Sequence, residues 1–195
     1  MARPRTTSDE AILEAAARAL GRLGPGRLTL GVVAQEAGLA PATLVQRFGS
    51  KRGLLLALAG RSGPGARGYF DRAREEHAAP LEILKAALAG MAGNVRTPEE
   101  MANGLAFLQL DLTDPEFREH AAAHARTVAD EIGALLERAA ADGDLAPGTD
   151  TAALARSVQI TYNGALILWA LAGDGDLAAV LLTDLDRLLA PYRPA

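Results

Sequence analysis

The 195-residue sequence contains no cysteine, which excludes disulfide bonds and thiolate metal sites and is compatible with a reducing cytosol. Aromatic residues make up only 4% of the chain, although hydrophobic residues make up 49%. The core must therefore consist mainly of alanine, leucine and valine, which favours closely packed helices. No stretch shows the alternating pattern of a strand. The sequence predicts an all-α protein.

Long apolar runs are also absent. The longest, residues 164–173, is about half the length of a membrane span. The opening residues, Met-Ala-Arg-Pro-Arg-Thr-Thr-Ser, are not followed by the apolar segment of a signal peptide. We therefore expect a cytoplasmic protein with no membrane partner.

Residues for catalysis are scarce. The chain has three histidines, of which His120 and His124 have a helical spacing that can bind a metal, but no H-E-x-x-H motif accompanies them. Two solvated histidines are the simpler interpretation. No G-x-S-x-G motif occurs, and Gly63-Pro64-Gly65 lacks the strand and the Gly-Lys-Ser of a phosphate loop. We predict no enzyme, no metal and no cofactor.

Charge is unevenly distributed. Residues 1–67 carry 10 Arg or Lys and 4 Asp or Glu, a net charge of +6, whereas residues 68–195 carry 10 and 20, a net charge of −10. A basic N-terminal third on an acidic remainder is typical of a module that faces phosphates. Chance clustering in an arginine-rich chain is the alternative.

Residues 28–52 have the pattern of a helix-turn-helix. Thr29 is placed to cap a helix over 29–37, and Gly38 follows where a left-handed residue ends a helix. Pro41 then stands at the first position of a second helix, 41–47, where its missing N–H costs nothing.

The polar residues of this stretch are the candidate DNA contacts. Gln46 and Arg47 lie off the apolar stripe of the second helix, and glutamine and arginine match adenine and guanine edges. The full set is Thr29, Ala42, Thr43, Gln46, Arg47, Lys51 and Arg52. An ordinary pair of short helices in a bundle is the alternative.

The stretch resembles the DNA-binding half of the TetR family of transcriptional regulators, over roughly residues 7–60. The likeness is carried by Thr29, the Ala-Gln-Glu-Ala-Gly segment at 34–38, the Thr-Leu pair at 43–44 and Phe-Gly-Ser-Lys at 48–51. The family usually has an aromatic residue at the place of Val45 and often histidine at the place of Arg47. Val45 cannot make a tyrosine's phosphate contact, and Arg47 offers a permanent charge instead of histidine.

Caps and prolines divide the rest of the chain into helices. Thr7 and Glu10 have capping-box spacing, and the segment 62–65, Ser-Gly-Pro-Gly, should interrupt the fourth helix. We predict helices at about 8–22, from 50 to this break, and at 66–77, 80–93, 97–112, 115–141, 151–172 and 177–190. We place a domain boundary near residue 65, with 1–65 binding DNA. Residues 50–65 are taken as the only covalent route between the domains, and the break at 62–65 makes that route a candidate hinge, although an ordinary loop explains the break equally well.

The last two helices predict a dimer. Residues 164–172 are apolar on every side and must be buried all round, and the final helix carries a leucine stripe. A four-helix bundle made by two copies would bury both helices. Candidate interface residues are Leu168, Trp169, Leu181 and Leu185. A central core helix in a monomer is the alternative.

A ligand pocket is a further candidate, between the helices at 80–93, 99–113 and 115–141. Residues that could line it are Met91, Met101, Phe107, Gln109 and Phe117. Such residues at helical spacing also occur in plain core. If Gln109 is buried, its amide needs a partner that a ligand could supply.

The resemblance implies a homodimer that binds a palindromic double-stranded DNA operator and acts as a repressor released by a small apolar or amphipathic effector. Two alternatives remain at this point. One is a helix-turn-helix protein whose body only dimerises, and the other is a helical enzyme or protein-binding module on the same fold. Arg3 and Arg5 form a basic arm that could enter a minor groove or be disordered.

Overall fold

The computed structural model describes residues 7–173 and 175–194. Over these residues the chain forms α-helices, one short 3-10 helix at Ala190–Tyr192 and no strand, which confirms the all-α prediction. The helices are α1 (Asp9–Arg27), α2 (Leu30–Ala37), α3 (Pro41–Phe48), α4 (Lys51–Gly60), α5 (Ser62–Glu76), α6 (Pro80–Ala92), α7 (Pro98–Thr113), α8 (Pro115–Asp142), α9 (Thr151–Ala172) and α10 (Leu177–Leu189).

The chain divides into two compact units. The first unit comprises Met1–Ser62 and Glu99–His120, described from residue 7 onward, and the second comprises Gly63–Pro98 and Ala121–Ala195. The first unit therefore holds α1–α4, nearly all of α7 and the beginning of α8. Because the chain passes between the units three times, the segment around residues 50–65 is not the single covalent route that the sequence pattern suggested.

The core of the first unit is built from one side of each of its first four helices. Ile12, Val33, Leu44 and Leu54 belong to α1, α2, α3 and α4 in turn, and all four are completely buried. Each contributes about 1.5–3 kcal/mol by leaving water. Phe117, at the beginning of α8, belongs to the same core. Leu44 thus fixes the buried side of α3 and decides which side of that helix faces outward.

The α1 helix begins one residue later than the capping pattern predicted. Ser8, not Thr7, is its N-cap, and the Ser8 hydroxyl accepts the Ala11 N–H at 3.2 Å. The Thr7 prediction is wrong because Ser8 has an extended backbone and is not yet helical, so that the helix begins only at Asp9. Glu10 does not close a capping box, since its carboxylate pairs with Arg61 at 2.8 Å.

The α1 helix is interrupted before Pro25, shortly after residue 22, where the sequence predicted its end. Gly24 has a φ of 71°, outside the helical range, and a single turn of helix follows it to Arg27. This glycine also has no room for a side chain, because a Cβ there would lie 2.5 Å from the Asn103 Oδ1 atom. Asn103 lies on α7 and donates from Nδ2 to the Gly21 carbonyl at 2.7 Å. The bend in α1 is therefore where α7 packs in the first unit.

The break after α4 is shorter than predicted. It falls on Arg61, and α5 already begins at Ser62. Pro64 stands in the first turn of α5, where a missing N–H breaks no helical hydrogen bond. A loop over residues 62–65 is therefore wrong, because proline is tolerated at a helix start.

The core of the second unit is organised around α10, which packs against α6 and α9. Leu181 and Leu185 of α10 are completely buried, as are Leu84 and Leu88 of α6. At the edge of this packing, Lys85 Nζ of α6 donates to Asp186 Oδ1 of α10 at 3.2 Å.

Candidate nucleic-acid interface

The predicted helix-turn-helix is present, with the expected caps. The Thr29 hydroxyl accepts the Val32 N–H at 3.2 Å and opens α2. Gly38 ends α2 with a φ of 69°, and the Leu39 N–H returns to the Ala34 carbonyl at 2.8 Å. Pro41 is the first residue of α3. These local bonds hold α2 and α3 in the arrangement that DNA-binding helix pairs use.

The outward side of α3 is small and polar except for one valine. Ala42 and Gln46 are exposed, Thr43 is partly exposed, and Val45 keeps 50% of its surface. These residues lie opposite the buried Leu44 and include three of the predicted DNA contacts. Short side chains beside one amide allow close approach of the helix to base edges.

Arg47 is held within the protein. Its Nη1 atom donates to the Thr7 carbonyl at 2.6 Å and to Asp9 Oδ1 at 3.0 Å, and its side chain is only 23% exposed. The guanidinium thereby ties α3 to the beginning of α1. Base contact by Arg47 stays a prediction, and it requires these bonds to be exchanged for bonds to DNA.

Lys51 and Arg52 begin α4 and have different surroundings. The Lys51 ammonium donates to the Gly26 carbonyl at 3.2 Å. Arg52 pairs with Asp114 at 2.8 Å and Glu116 at 2.5 Å, and its guanidinium lies 5.7 Å from the centre of the Phe117 ring. The hydrogen bonds that Arg52 donates lower the pKa of Asp114, and the acceptance of its hydrogen bonds by Asp114 and Glu116 raises the pKa of Arg52. The charge of Arg52 is therefore balanced internally, whereas Lys51 contacts only a neutral carbonyl among the described residues.

Two arginines that bind one glutamate join α1 to α2, an interaction that the sequence did not predict. Arg18 and Arg22 bind Glu36 at 3.1 and 2.6 Å. The hydrogen bond from Arg22 is the main cause that lowers the pKa of Glu36. Several of the arginines behind the positive charge of the N-terminal third thus hold its helices together. Arg3 and Arg5 lie outside the described residues.

Two of the predicted effector contacts line one groove in the first unit. Gln109 and Phe117 belong to a groove of about 550 Å³. Met101 and Phe107 are partly buried on α7 outside its lining, and the Phe107 ring packs edge to face on Phe117 with centroids 5.8 Å apart. Gln109 is exposed, so the argument from a buried amide does not apply to it. Met91 belongs to the second unit.

A smaller groove, of about 320 Å³, lies in the second unit and includes Tyr69, Arg72, Glu76 and Asn94. The Asn94 amide donates to the Tyr69 hydroxyl at 2.5 Å. Tyr162 lies in the same unit. Its burial, together with a smaller electrostatic effect of Tyr69, raises the pKa of Tyr162 to about 12, so that its phenol stays neutral.

The predicted dimer residues have opposite exposures. Leu168 of α9 is 67% exposed, whereas Trp169 is buried and its indole N–H donates to the Gly175 carbonyl at 3.0 Å. Leu181 and Leu185 are completely buried in the core of their own subunit, so they are not available to a partner. This corrects the leucine-stripe assignment for α10, because α6 and α9 already cover that stripe. The large apolar residues that α9 exposes are Ile160, Ile167, Leu168 and Leu171.

The histidine pair does not form part of a metal site within the described chain. His120 lies against Gly60, and no group of three or more potential ligands is arranged around a metal position among the described residues. Across residues 7–173 and 175–194, no helix has both the length and the apolar character that a bilayer crossing requires.

Two protein-family models match the chain, one in its N-terminal part and one in its C-terminal part. Residues 12–58 match the family model described as bacterial regulatory proteins, tetR family. Residues 104–185 match the model described as tetracyclin repressor-like, C-terminal domain. The two matches together cover more than half of the chain. No curated protein sequence matches the chain significantly.

Solved structures extend the likeness over nearly the whole chain. A protein from Rhodococcus sp. assigned to the TetR family is 25% identical, with a TM-score of 0.69 over 92% of this chain and 97% of that one. SmeT, the repressor of the Stenotrophomonas maltophilia multidrug efflux pump SmeDEF, is 24% identical, with a TM-score of 0.69 over 97% and 92%. FadR from Bacillus subtilis, in complex with stearoyl-CoA, is 19% identical, with a TM-score of 0.70 over 95% and 100%.

The last two likenesses concern the fold alone, but the family models match the helix-turn-helix and the C-terminal helices directly. The capped helix pair, the outward polar side of α3 and these matches lead to one conclusion: the chain belongs to the TetR family of DNA-binding transcriptional regulators.

Proposed function

We propose that this regulator is a repressor that binds a palindromic operator as a homodimer and is released by a small amphipathic effector. The outward side of α3, presented by the helix-turn-helix, is the observation that carries the proposal. In functional terms, residues 1–65 would contact DNA and residues 66–195 would dimerise and contribute to effector binding. A protein with these roles acts in the cytoplasm.

The DNA contacts divide into two kinds. Gln46 projects from α3 beside Ala42 and Thr43 and reads base edges, where an amide pairs with adenine. Lys51 and Thr29 stand at helix starts, where phosphates are favoured by the helix dipole. Arg47 reads a base or grips an adjoining phosphate after it leaves Asp9. Arg52 contributes least, since two carboxylates already balance its charge.

A homodimer formed through α9 would have two-fold symmetry, which a palindromic operator matches. Ile160, Ile167 and Leu171 follow one another at intervals of seven and four residues, which places them on one side of the helix. A second copy related by two-fold symmetry would cover this apolar side with an identical one. The two α3 helices then need a spacing of about 34–36 Å, or a multiple of it, to enter successive major grooves.

Release by an effector is supported by the relatives. SmeT is described as a repressor, and FadR was solved with stearoyl-CoA, an amphipathic molecule. An effector lowers operator affinity only if it binds the DNA-free protein more tightly than the DNA-bound protein, and DNA must then lower effector affinity by the same factor. Equal effector affinity with and without operator would leave a DNA binder whose body only dimerises.

The test of DNA binding is a salt titration with DNA from upstream of the protein's own gene. Lys51→Ala should weaken binding to every sequence and reduce the slope of log affinity against log salt by about one unit per subunit. Arg138→Ala is the matched control, because it removes one exposed positive charge from the second unit. An unchanged slope for Lys51→Ala would contradict the phosphate role, and the absence of salt-sensitive, sequence-specific binding would overturn the proposal.

Arg47 requires a pair of variants, because its side chain also holds the fold. Arg47→Ala should reduce operator affinity by about 1–3 kcal/mol, but it also breaks the bonds to Thr7 and Asp9. Asp9→Asn removes only the competing charge. If Arg47 contacts DNA, Asp9→Asn should tighten operator binding. A purely structural Arg47 predicts that Asp9→Asn weakens operator binding or leaves it unchanged.

A further inference from the structure

We propose that the groove in the first unit binds a medium-chain carboxylate, with the carboxylate on Lys51 and the chain on the apolar wall. This inference deepens the proposed function, on which its regulatory consequence rests, by naming the chemical class of the effector and its site. The groove lies within the unit that carries the helix-turn-helix. It is lined by Pro25, Gly26, Lys51, Arg52, Leu55, Ala106, Gln109, Leu110, Asp114 and Phe117.

The wall of the groove is mainly apolar. Leu55 and Phe117 belong to the buried core of the first unit, and Leu110 packs against that core. Ala106 is exposed on α7 and leaves the groove open on that side. The volume of about 550 Å³ is within the usual range for small-molecule sites. An apolar wall of this size favours a ligand with a hydrocarbon part.

The charges that line the groove select an anionic head. Arg52 and Asp114 lie 2.8 Å apart and balance each other, and Glu116 adds a second carboxylate to Arg52. Lys51 forms no ion pair among the described residues, and its ammonium donates to the Gly26 carbonyl. A ligand carboxylate would give Lys51 a charged partner, which makes a stronger hydrogen bond than a neutral carbonyl does. A cationic head could not pair with Lys51, and a neutral head would gain less.

One side of the groove is formed by α7. No residue of α7 is fully buried, and Leu112 at its end keeps 62% of its surface exposed. In the first unit, α7 is held by the Asn103 bond to Gly21, by the Phe107 contact with Phe117 and by the packing of Leu110 against the core. A hydrocarbon chain lying between Leu110 and Leu55 would add apolar contact to this helix, so binding should also raise thermal stability.

The position of Lys51 links the site to DNA. The same ammonium that binds the ligand carboxylate is the proposed phosphate contact. An ammonium bound to the ligand carboxylate is less available to a phosphate, so ligand and operator compete for it. The coupling therefore needs no rearrangement of the rest of the protein.

The binding test uses octanoate and 1-octanol on the full-length protein without DNA, measured by calorimetry. Both probes have the same hydrocarbon length, and only octanoate carries the charge. Octanoate should bind about tenfold more tightly than 1-octanol. Lys51→Met should reduce octanoate affinity to the level of 1-octanol. Equal affinities of the two probes for the wild-type protein, or no binding of either, would overturn the inference.

The location is tested by a matched pair on α7. Ala106→Trp should fill the groove and abolish octanoate binding, whereas Ala102→Trp, one turn earlier and also exposed but outside the lining, should bind octanoate like the wild type. Undiminished binding by Ala106→Trp would overturn the site. Operator binding by the ligand-free protein separates the two proposals. If it is present without octanoate binding, the inference alone fails, and if octanoate binds without operator binding, the proposed function alone fails.

Discussion

Two helices of this protein each leave one side uncovered, and the two sides differ in chemistry. The uncovered side of α3 presents short and polar residues to solvent, with Ala42 and Gln46 at its centre. The uncovered side of α9 presents Leu168 and Leu171, which keep 67% and 80% of their surface exposed. Both helices are anchored on their other side by completely buried residues, Leu44 in α3 and Val158 in α9.

The difference shows what each side is suited to contact. An exposed apolar patch on a water-soluble helix is unfavourable unless another apolar surface covers it, which is the signature of a protein partner. A small polar side leaves room for a groove edge and supplies hydrogen bonds without a hydrophobic driving force. The same helix geometry is therefore suited to two kinds of partner, and the composition of the outward side distinguishes them.

The largest expected effect comes from charging the α9 side. Leu168→Glu combined with Leu171→Glu would place carboxylates without partners in an apolar interface, which costs several kcal/mol. The double variant should be a folded monomer by light scattering and circular dichroism, because both side chains are exposed within the subunit. Val45→Glu on α3 is the control and should leave the dimer intact while weakening DNA binding. A dimeric double variant, or a monomeric wild type at micromolar concentration, would remove the α9 interface.

A smaller effect is expected from a substitution that disturbs α3 but not α9. A Cβ at Gly53 would lie 2.1 Å from the Phe48 carbonyl oxygen, so Gly53→Ala must displace the turn between α3 and α4. We expect a loss of about 1–3 kcal/mol in the free energy of unfolding, with weaker operator binding and an unchanged dimer. Gly104→Ala is the matched control, since a Cβ there has no neighbour within 4 Å and alanine should stabilise α7 by about 0.5–1 kcal/mol. Equal effects of the two variants would contradict the steric argument.

The smallest effect concerns pH. The folded pKa of Glu36 lies below its ordinary value of 4.5, so its pairing with Arg22 stabilises the protein above that pH and is lost as the pH falls through the folded pKa. Since the arginines are half exposed, we expect less than about 1 kcal/mol. Glu36→Gln should reduce the loss of stability between pH 6 and pH 3, measured by urea unfolding, whereas Glu14→Gln on the exposed side of α1 should not. An unchanged loss for Glu36→Gln would show that other groups govern the acid response.

The helix starts and stops were largely predictable because their signals are local. Thr29, Gly38 and Pro41 act on backbone groups within four residues, and all three predictions are confirmed. The error at Thr7 arose from the same locality, since Thr7 and Ser8 are both capping residues and only the start of α1 distinguishes them. The interruption after α4 was placed too late because a proline inside a helix and one in its first turn have the same local sequence.

The surroundings of the candidate contacts were not predictable. Arg47 binds Thr7 and Asp9 from about 40 residues away, and Arg52 binds Asp114 from 62 residues away. No local pattern carries such pairings. The buried position of Leu181 was also missed, because the leucine stripe of α10 is the same whether it faces a partner or its own α6 and α9.

The sequence by itself determined the helices, the caps of the helix-turn-helix and the uneven charge, because each depends on neighbouring residues or on composition. Tertiary structure alone decided which charges remain available and which apolar side remains uncovered. It balances Arg52 with two carboxylates, leaves Lys51 on a neutral carbonyl, buries Leu181 and exposes Leu168. Exposure and charge balance belong to the packed chain, since both depend on residues that are distant in sequence and meet only when the helices pack.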